Sequence, residues 1–361
     1  MEIALGSWSP GGDALPQDTA AHFRLGCQGP DIFYHNQRTK PSGLHYGSLA
    51  HRRMYGSLMA AAAAAVPEGE RGLECPAGAY LLGLATHAAV DRATHPFIIY
   101  FSGWVDPSDP GTERLRGCHP FLERLLDISL IGGRLGLTPR EYGLASRLSL
   151  DNPANTQAAG RADSALVTLW AAGLRAAYPR ATGSDSSLPE RIANALADAR
   201  NFYTITDPEA TAPGGRNEDW IGRMGGDEWK KLVSIVYPES VPTGMDVMNE
   251  AGVEWQHPSA DGRCSSASYP EVLAQGVKAA AKAISLVLAF WRSEIPAQAL
   301  ADGIGEGCLA LCDVDGTVVR PRVCRPLALP EAMQAEYTLR TGDHVDVSPS
   351  GRYDAEHEHE G

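Results

Sequence analysis

No apolar run in this sequence is long enough to cross a bilayer. The two longest are Met59–Val66, which is mostly alanine, and Ala279–Trp291, which is interrupted by Lys282. Both fall short of the roughly 18–20 residues a spanning helix needs, so no integral membrane segment is expected. The first seventeen residues lack the basic start and apolar middle of a secretory leader and carry Pro10, Gly11, Gly12, Asp13 and Pro16 instead. A cytoplasmic location is the matching expectation. Paired cysteine patterns are missing too. Cys27, Cys75, Cys118, Cys264, Cys308, Cys312 and Cys324 are odd in number and include no Cys-x-x-Cys. That spacing excludes a zinc ribbon and argues against a disulfide framework, so free thiols in a reducing compartment are expected.

Positive charge is in deficit. The chain has 31 Lys and Arg against 44 Asp and Glu, for a formal net charge of −13. A polyanion is repelled on average, so a nucleic-acid partner is not expected. Bound divalent cations would still reverse the field of a small site. Strand signals are scarce as well: β-branched and aromatic runs are short, while Ala and Leu abound. The fold class that follows is mainly α, and 361 residues that are 43% hydrophobic can bury a sizeable core.

Apolar periodicity predicts helices over Ser48–Val66, with Ser48 as N-cap, and over Pro76–His95, ended by Pro96. Further helices are expected at His119–Leu135, Thr138–Arg147, Ala158–Tyr178, Pro189–Asn201 and Pro270–Arg292. Residues 1–21 read as an irregular lead-in and 22–295 as the helical domain. Residues 296–340 read as a small irregular or short-stranded C-terminal extension, with strands near 308–326. Residues 341–361 read as a mobile acidic tail.

The chemistry concentrates in Ala79–Tyr100. His87, Asp91 and His95 are spaced four and four. Each step of four drifts only about 40° around a helix, so the three share one face. Their neighbours are Leu, Ala, Val, Phe and Ile, which buries the helix on most sides. A buried aspartate between two histidines is costly unless compensated. A divalent metal compensates directly, since imidazole nitrogen and carboxylate oxygen are ordinary zinc ligands. The competing reading is a hydrogen-bonded Asp91–His pair inside a helical core. The next helix shifts the balance: Cys118-His119-Pro-Phe-Leu-Glu123 repeats the His-x-x-x-carboxylate spacing. Two such helices in a bundle converge naturally on metals. Asp127 continues that face, with Arg124 as an available partner. Upstream, Gly29-Pro30-Asp31 offers a carboxylate on a turn, and His45 and His51 flank the start of a helix.

These segments together resemble the bacterial zinc-dependent phospholipase C family, in the superfamily that includes the P1-type nucleases. The resemblance is carried by Gly26-Cys-Gln-Gly-Pro-Asp31-Ile-Phe-Tyr, by Tyr46-Gly-Ser-Leu-Ala-His51, by the run from Tyr80 to Pro96, and by His119-Pro-Phe-Leu-Glu123. It covers roughly residues 22–295. Asp246–Pro258 looks like a further feature of the group, with no assignable chemistry. The resemblance implies a helical fold with two or three zinc ions in a deep cleft. Asp31, His87, Asp91 and one of His45 or His51 would hold one ion. His95, His119 and Glu123 would hold a second, and Asp91 would bridge to a third. His51 fits the segment pattern better, while the interval from Asp31 to His45 fits the secreted members. The family completes its third zinc with groups near the mature N-terminus, including an upstream histidine, and no histidine precedes His22 here. The implied reaction is hydrolysis of a phosphodiester, most readily a phospholipid, by a metal-activated water that Asp31 orients or deprotonates. A nuclease or phosphomonoesterase on the same scaffold, or a non-catalytic zinc-binding protein, are the alternatives.

Two signals are decoys. Asp313-Val-Asp315-Gly-Thr317 looks like the aspartate loop of haloacid-dehalogenase-type phosphatases, but too little chain follows for that doubly wound fold. A turn between two short strands is expected instead. Glu356-His357-Glu-His359-Glu360 reads as a solvated acidic tail.

Overall fold

The 27-residue helix Pro76–Ser102 organises the molecule. Its first half is apolar on every side, with Ala79, Leu81, Leu82 and Leu84 all buried, so it must run through the interior. Pro76 sits at the first turn, where its missing N–H has no helical partner to lose. The expected stop at Pro96 does not occur. Proline there removes one backbone bond, at a cost of about 3 kcal/mol. Phe97, Ile98, Ile99, Tyr100 and Phe101 beyond it are all buried. Each such side chain contributes roughly 1.5–3 kcal/mol, which outweighs the break.

The computed structural model describes residues 15–148, 156–211, 215, 229–312 and 316–341. The acidic tail after Thr341, residues 1–14, and Asp313 and Asp315 lie outside the described residues. What is described is mainly helical, with one two-stranded antiparallel pair, Trp255–Gln256 with Cys264–Ser265.

Two apolar cores share the long helix. One gathers its first half with Tyr55–Ala65, Leu188–Ile205 and the buried face of Tyr269–Trp291, around Trp170 and Met59. The other gathers its last turns with Cys118–Leu135, Trp229–Val233 and Leu329–Thr341. Ala88 belongs to the first core and Phe97 to the second. His87, Asp91 and His95 therefore fall at the junction, where neither core closes over them. Gly83 makes this packing possible on the other side: a Cβ there would stand 2.1 Å from the Phe23 carbonyl oxygen of Ala20–Gly26.

Several boundaries differ from the sequence reading for tertiary reasons. The expected helix Ser48–Val66 is two helices, Leu44–Arg52 and Tyr55–Ala65, so Ser48 is interior and caps nothing. Met54 between them is left-handed, with φ of 62°. The break is supported from far away: Met54 N–H donates to Glu306 O and Tyr178 Oη donates to Arg53 O. Thr138–Arg147 likewise divides at Gly143 into Pro139–Tyr142 and Leu144–Leu148.

The helix Tyr269–Trp291 is 23 residues long with mean hydropathy 1.5. By length and composition it is the one described helix that could cross a bilayer. Here it lies along Pro76–Ser102, with Gly276 against Val90 and Ala93. The C-terminal extension is helical at both ends, Ala297–Ile304 and Leu329–Thr341. Among the described residues, the expected strands near 308–326 reduce to a single bridge, Cys312 with Val318. Leu300, Ile304 and Leu309 join the first core, and Met333 and Tyr337 the second. The expectation of free thiols throughout is also corrected. Cys308 and Cys312 are disulfide-bonded, a pairing their spacing gives no reason to suspect, and the other five are free. Asp246–Pro258 is a structural knot. Asn249 Nδ2 donates to the carbonyls of Val253, Ser266 and Ala267, and the Trp255 ring meets Phe97 edge-on at 5.7 Å.

Candidate metal centre

A cleft of about 1320 Å³ opens at the junction of the two cores. Asp31, His51, His87, Asp91, His95, His119 and Glu123 all line it. His45 does not. It is exposed on Leu44–Arg52, its ring against Tyr46 at 3.9 Å.

The seven residues fall into two groups of three joined by Asp91. Asp31, His51 and His87 form one, with ligand atoms within 4.8 Å of one another; His95, His119 and Glu123 form the other. In the first, His51 Nε2 lies 3.0 Å from Asp31 Oδ1 and 4.0 Å from Asp91 Oδ2. His87 Nε2 lies 3.6 Å from Asp91 Oδ2. Ligands about 2.1 Å from a tetrahedral ion stand roughly 3.4 Å apart, so these separations suit one shared ion. In the second group His119 Nε2 and Glu123 Oε1 are 3.2 Å apart, and the His95 and His119 rings stack at 5.2 Å. Asp91 turns its other oxygen, Oδ1, to His95 Nδ1 at 2.9 Å. One carboxylate thus addresses both groups.

Local structure aims these atoms. Asp31 sits on a 3-10 turn, Gly29–Phe33, with Pro30 in its first turn and Ile32 and Phe33 fully buried as anchors. Gly29 has φ of +57°, and a Cβ there would stand 2.2 Å from His87 Cγ. Only glycine accepts both that backbone and that imidazole. His51 Nδ1 faces Gly47 O at 2.8 Å, and His87 Nδ1 faces Cys27 O at 3.2 Å. With an ion bound, a neutral ring that donates Nδ1–H to a carbonyl would present a bare Nε2 lone pair, the tautomer a metal requires. Behind the helix, Arg92 donates to the carbonyls of Ile304, Gly305, Gly307 and Cys308. Leu309 N–H donates to His51 O at 2.7 Å. The C-terminal extension therefore braces the residues next to two candidate ligands.

Burial grades the site. His87, His51, His95 and Asp91 form a floor with 6–14% side-chain exposure, whereas Asp31, His119 and Glu123 stand 34–40% open to the cleft. Burial alone would raise the Asp31 carboxyl, but its hydrogen bond with His51 and the charges of His87 and His51 hold it below the ordinary carboxylate range. Asp91 and Glu123 are lowered in the same way, against burial, by His95 and His87 and by His119 respectively. Burial depresses His95, yet the Asp91 charge and hydrogen bond push it up to about 9. Asp91 and His95 thus hold each other charged.

The donor set fits zinc. It offers imidazole nitrogens and carboxylate oxygens. His87 Nε2 and Asp91 Oδ2 are both buried from water and have no hydrogen-bond partner. Two orphaned acceptors pointing at one spot are expensive in an apolar interior unless a cation satisfies them.

Other walls of the cleft were not assigned from the sequence, although Tyr34 ends the segment Gly26–Tyr34. Tyr34 stacks on His51 at 4.9 Å, His35 stacks on Phe202 at 4.0 Å, and Tyr203 and Tyr237 close the far side. Burial presses His35 down to about 4. Arg124 and Asp127 do pair, at 3.6 Å, and Tyr237 Oη donates to Asp127 at 3.0 Å. No family model, curated protein or solved structure matches this chain.

Proposed function

We propose that this chain is a zinc-dependent phosphodiesterase, acting on phospholipid-like esters from a two- or three-ion centre. The observation that carries the reading is the pair of ligand groups joined by Asp91, with the buried, partnerless His87 Nε2 and Asp91 Oδ2 at their meeting point. Asp31, His51, His87 and Asp91 would hold one ion, and His95, His119 and Glu123 another. Zinc in such a place supplies Lewis acidity, acidifying water and neutralising charge on phosphate oxygens.

The chain's own residues supply the rest. Gly47 O and Cys27 O fix the tautomers of His51 and His87. Asp31, ionised and the most open of its group, would orient the attacking water as a hydrogen-bond acceptor. Ile98, Leu130, Ile131, Leu232 and Ile235 line the same cleft. An apolar wall beside a charged floor suits an ester with a hydrocarbon portion, and the excess of acidic residues disfavours a nucleic-acid strand.

Metal analysis of untagged protein tests the centre, and headgroup release from phosphatidylcholine vesicles, set against cleavage of single-stranded DNA, tests the substrate. About two zincs per chain and preferential lipid hydrolysis are expected. Less than one zinc per chain overturns the centre. Bound zinc with DNA cleavage assigns a nuclease, and bound zinc with neither activity assigns a non-catalytic metal protein.

A further inference from the structure

We propose that Arg124 is the anion-binding side chain of the cleft, placing its guanidinium on a phosphate oxygen of the ester held at the metal groups; the proposal rests on the zinc reading above. Arg124 directly follows Glu123 on Cys118–Leu135 and lines the same cleft. Its side chain is 13% exposed. Nη1 donates to Tyr237 Oη at 2.9 Å, while Asp127 Oδ2 at 3.6 Å is beyond hydrogen-bond range. Nε is buried without a partner. A guanidinium carries five donors in a fixed fork. Withdrawing its Nε from water without a partner is costly unless an oxyanion reaches the fork.

The fork is also held still. Its carbon lies 4.7 Å from the Tyr237 ring centroid and 5.9 Å from that of Phe202. Tyr237 in turn donates to Asp127. A side chain packed between two rings and tied at one nitrogen loses little further freedom on binding. Asp127 is a weak competitor for the charge. Its side chain is 47% exposed, and its nearest carboxylate oxygen stands 3.6 Å from Arg124 Nη1 and accepts from Tyr237 Oη instead. Arg147, another arginine of the cleft, is occupied differently: it donates to Tyr142 O and lies over the Tyr142 ring. The negative groups near Arg124 are Glu123 and Asp127, with the phenols of Tyr203 and Tyr237 also facing it. Metal binding would engage Glu123 and leave the fork facing substrate. A fork lining the same cleft as the metal-ligand groups would recognise a tetrahedral phosphate by two parallel hydrogen bonds, which a lysine cannot reproduce.

The test is calorimetric titration of inorganic phosphate into the zinc-loaded full chain, comparing wild type with R124M and R124K at matched zinc content and ionic strength. R124M is expected to weaken phosphate binding roughly tenfold or more. R124K should recover part of that loss, because it keeps the charge without the fork. Unchanged affinity in R124M with full zinc content overturns the proposal and leaves the metal centre standing. A wild-type chain that takes up less than one zinc overturns both. If R124M does not fold, R124K decides: weakened binding supports the fork and wild-type affinity refutes it.

Discussion

The two ligand groups differ in how firmly the protein holds them. Asp31, His51 and His87 come from three elements: the 3-10 turn Gly29–Phe33, the helix Leu44–Arg52 and the long helix. Both histidines are oriented by main-chain carbonyls and are 11% and 6% exposed. His95, His119 and Glu123 come from two helices, and two of the three are 34–40% open. The first group is built before a metal arrives; the second is cheaper to open. The difference teaches that carbonyls fixing the imidazoles, together with burial, would set how firmly each group holds an ion more than ligand type would.

Removing the residue common to both groups should produce the largest effect. Asp91→Ala is expected to lower zinc content below one ion per chain and phosphodiesterase activity by about a thousandfold, since several kcal/mol of charge stabilisation is lost at about 1.4 kcal/mol per tenfold. Retention of two zincs by this variant would remove Asp91 from its bridging place.

Single-group variants sharpen the contrast. His119→Ala should release one ion and leave the other, and a chelator titration of wild type should proceed in two phases, the faster one missing in His119→Ala. His87→Ala should instead remove the slow phase. A single phase in wild type would erase the distinction between the groups. Gly29→Ala drives a Cβ into the His87 ring and strains a positive φ, costing about 1–3 kcal/mol. Its loss of zinc is expected to fall on the slow phase alone.

Charge linkage predicts a different pH response with and without metal. In the metal-free chain His95 is raised from 6.5 to about 9, so its contribution is full below pH 6.5 and lost as pH rises through 9. Asp31, Asp91 and Glu123 are lowered, so theirs is present above their ordinary values of 3.8 to 4.5 and lost on acidification. His35, pressed from 6.5 down to about 4, adds a loss below pH 6.5, so metal-free protein should melt highest near pH 6.5. Zinc-loaded protein should be destabilised on acidification through the histidine range, as protons displace the ions. Melting curves from pH 4 to 10 with and without chelator check this, and a flat metal-free profile between pH 6 and 10 would contradict it. The smallest effect belongs to His45→Ala, which should leave zinc content and activity unchanged.

Legibility in the sequence followed interaction range. The faces His87–Asp91–His95 and His119–Glu123 were readable because a helix brings residues four apart together whatever surrounds it. The helical class was readable for the same local reason. The continuation past Pro96 was not, because Phe97–Phe101 gain their burial from Cys118–Leu135, Trp255 and Tyr269. The break at Met54 was not, because its hydrogen bonds end on Glu306 and Tyr178. Phe202, Tyr203 and Tyr237 carry no local pattern that marks them as walls of a cleft.

The amino-acid sequence by itself determined that this protein is mainly helical and that its ligand-type residues share two helical faces, because i to i+4 geometry is local. Tertiary structure alone decided that His51 rather than His45 stands opposite Asp31, and that Asp91 looks both ways between two groups. His51 stands twenty residues from Asp31 and forty from Asp91, and Asp91 addresses both groups only because His51 and His119 are brought beside its own helix. These relations depend on where two apolar cores meet and leave a gap, which no window of sequence contains.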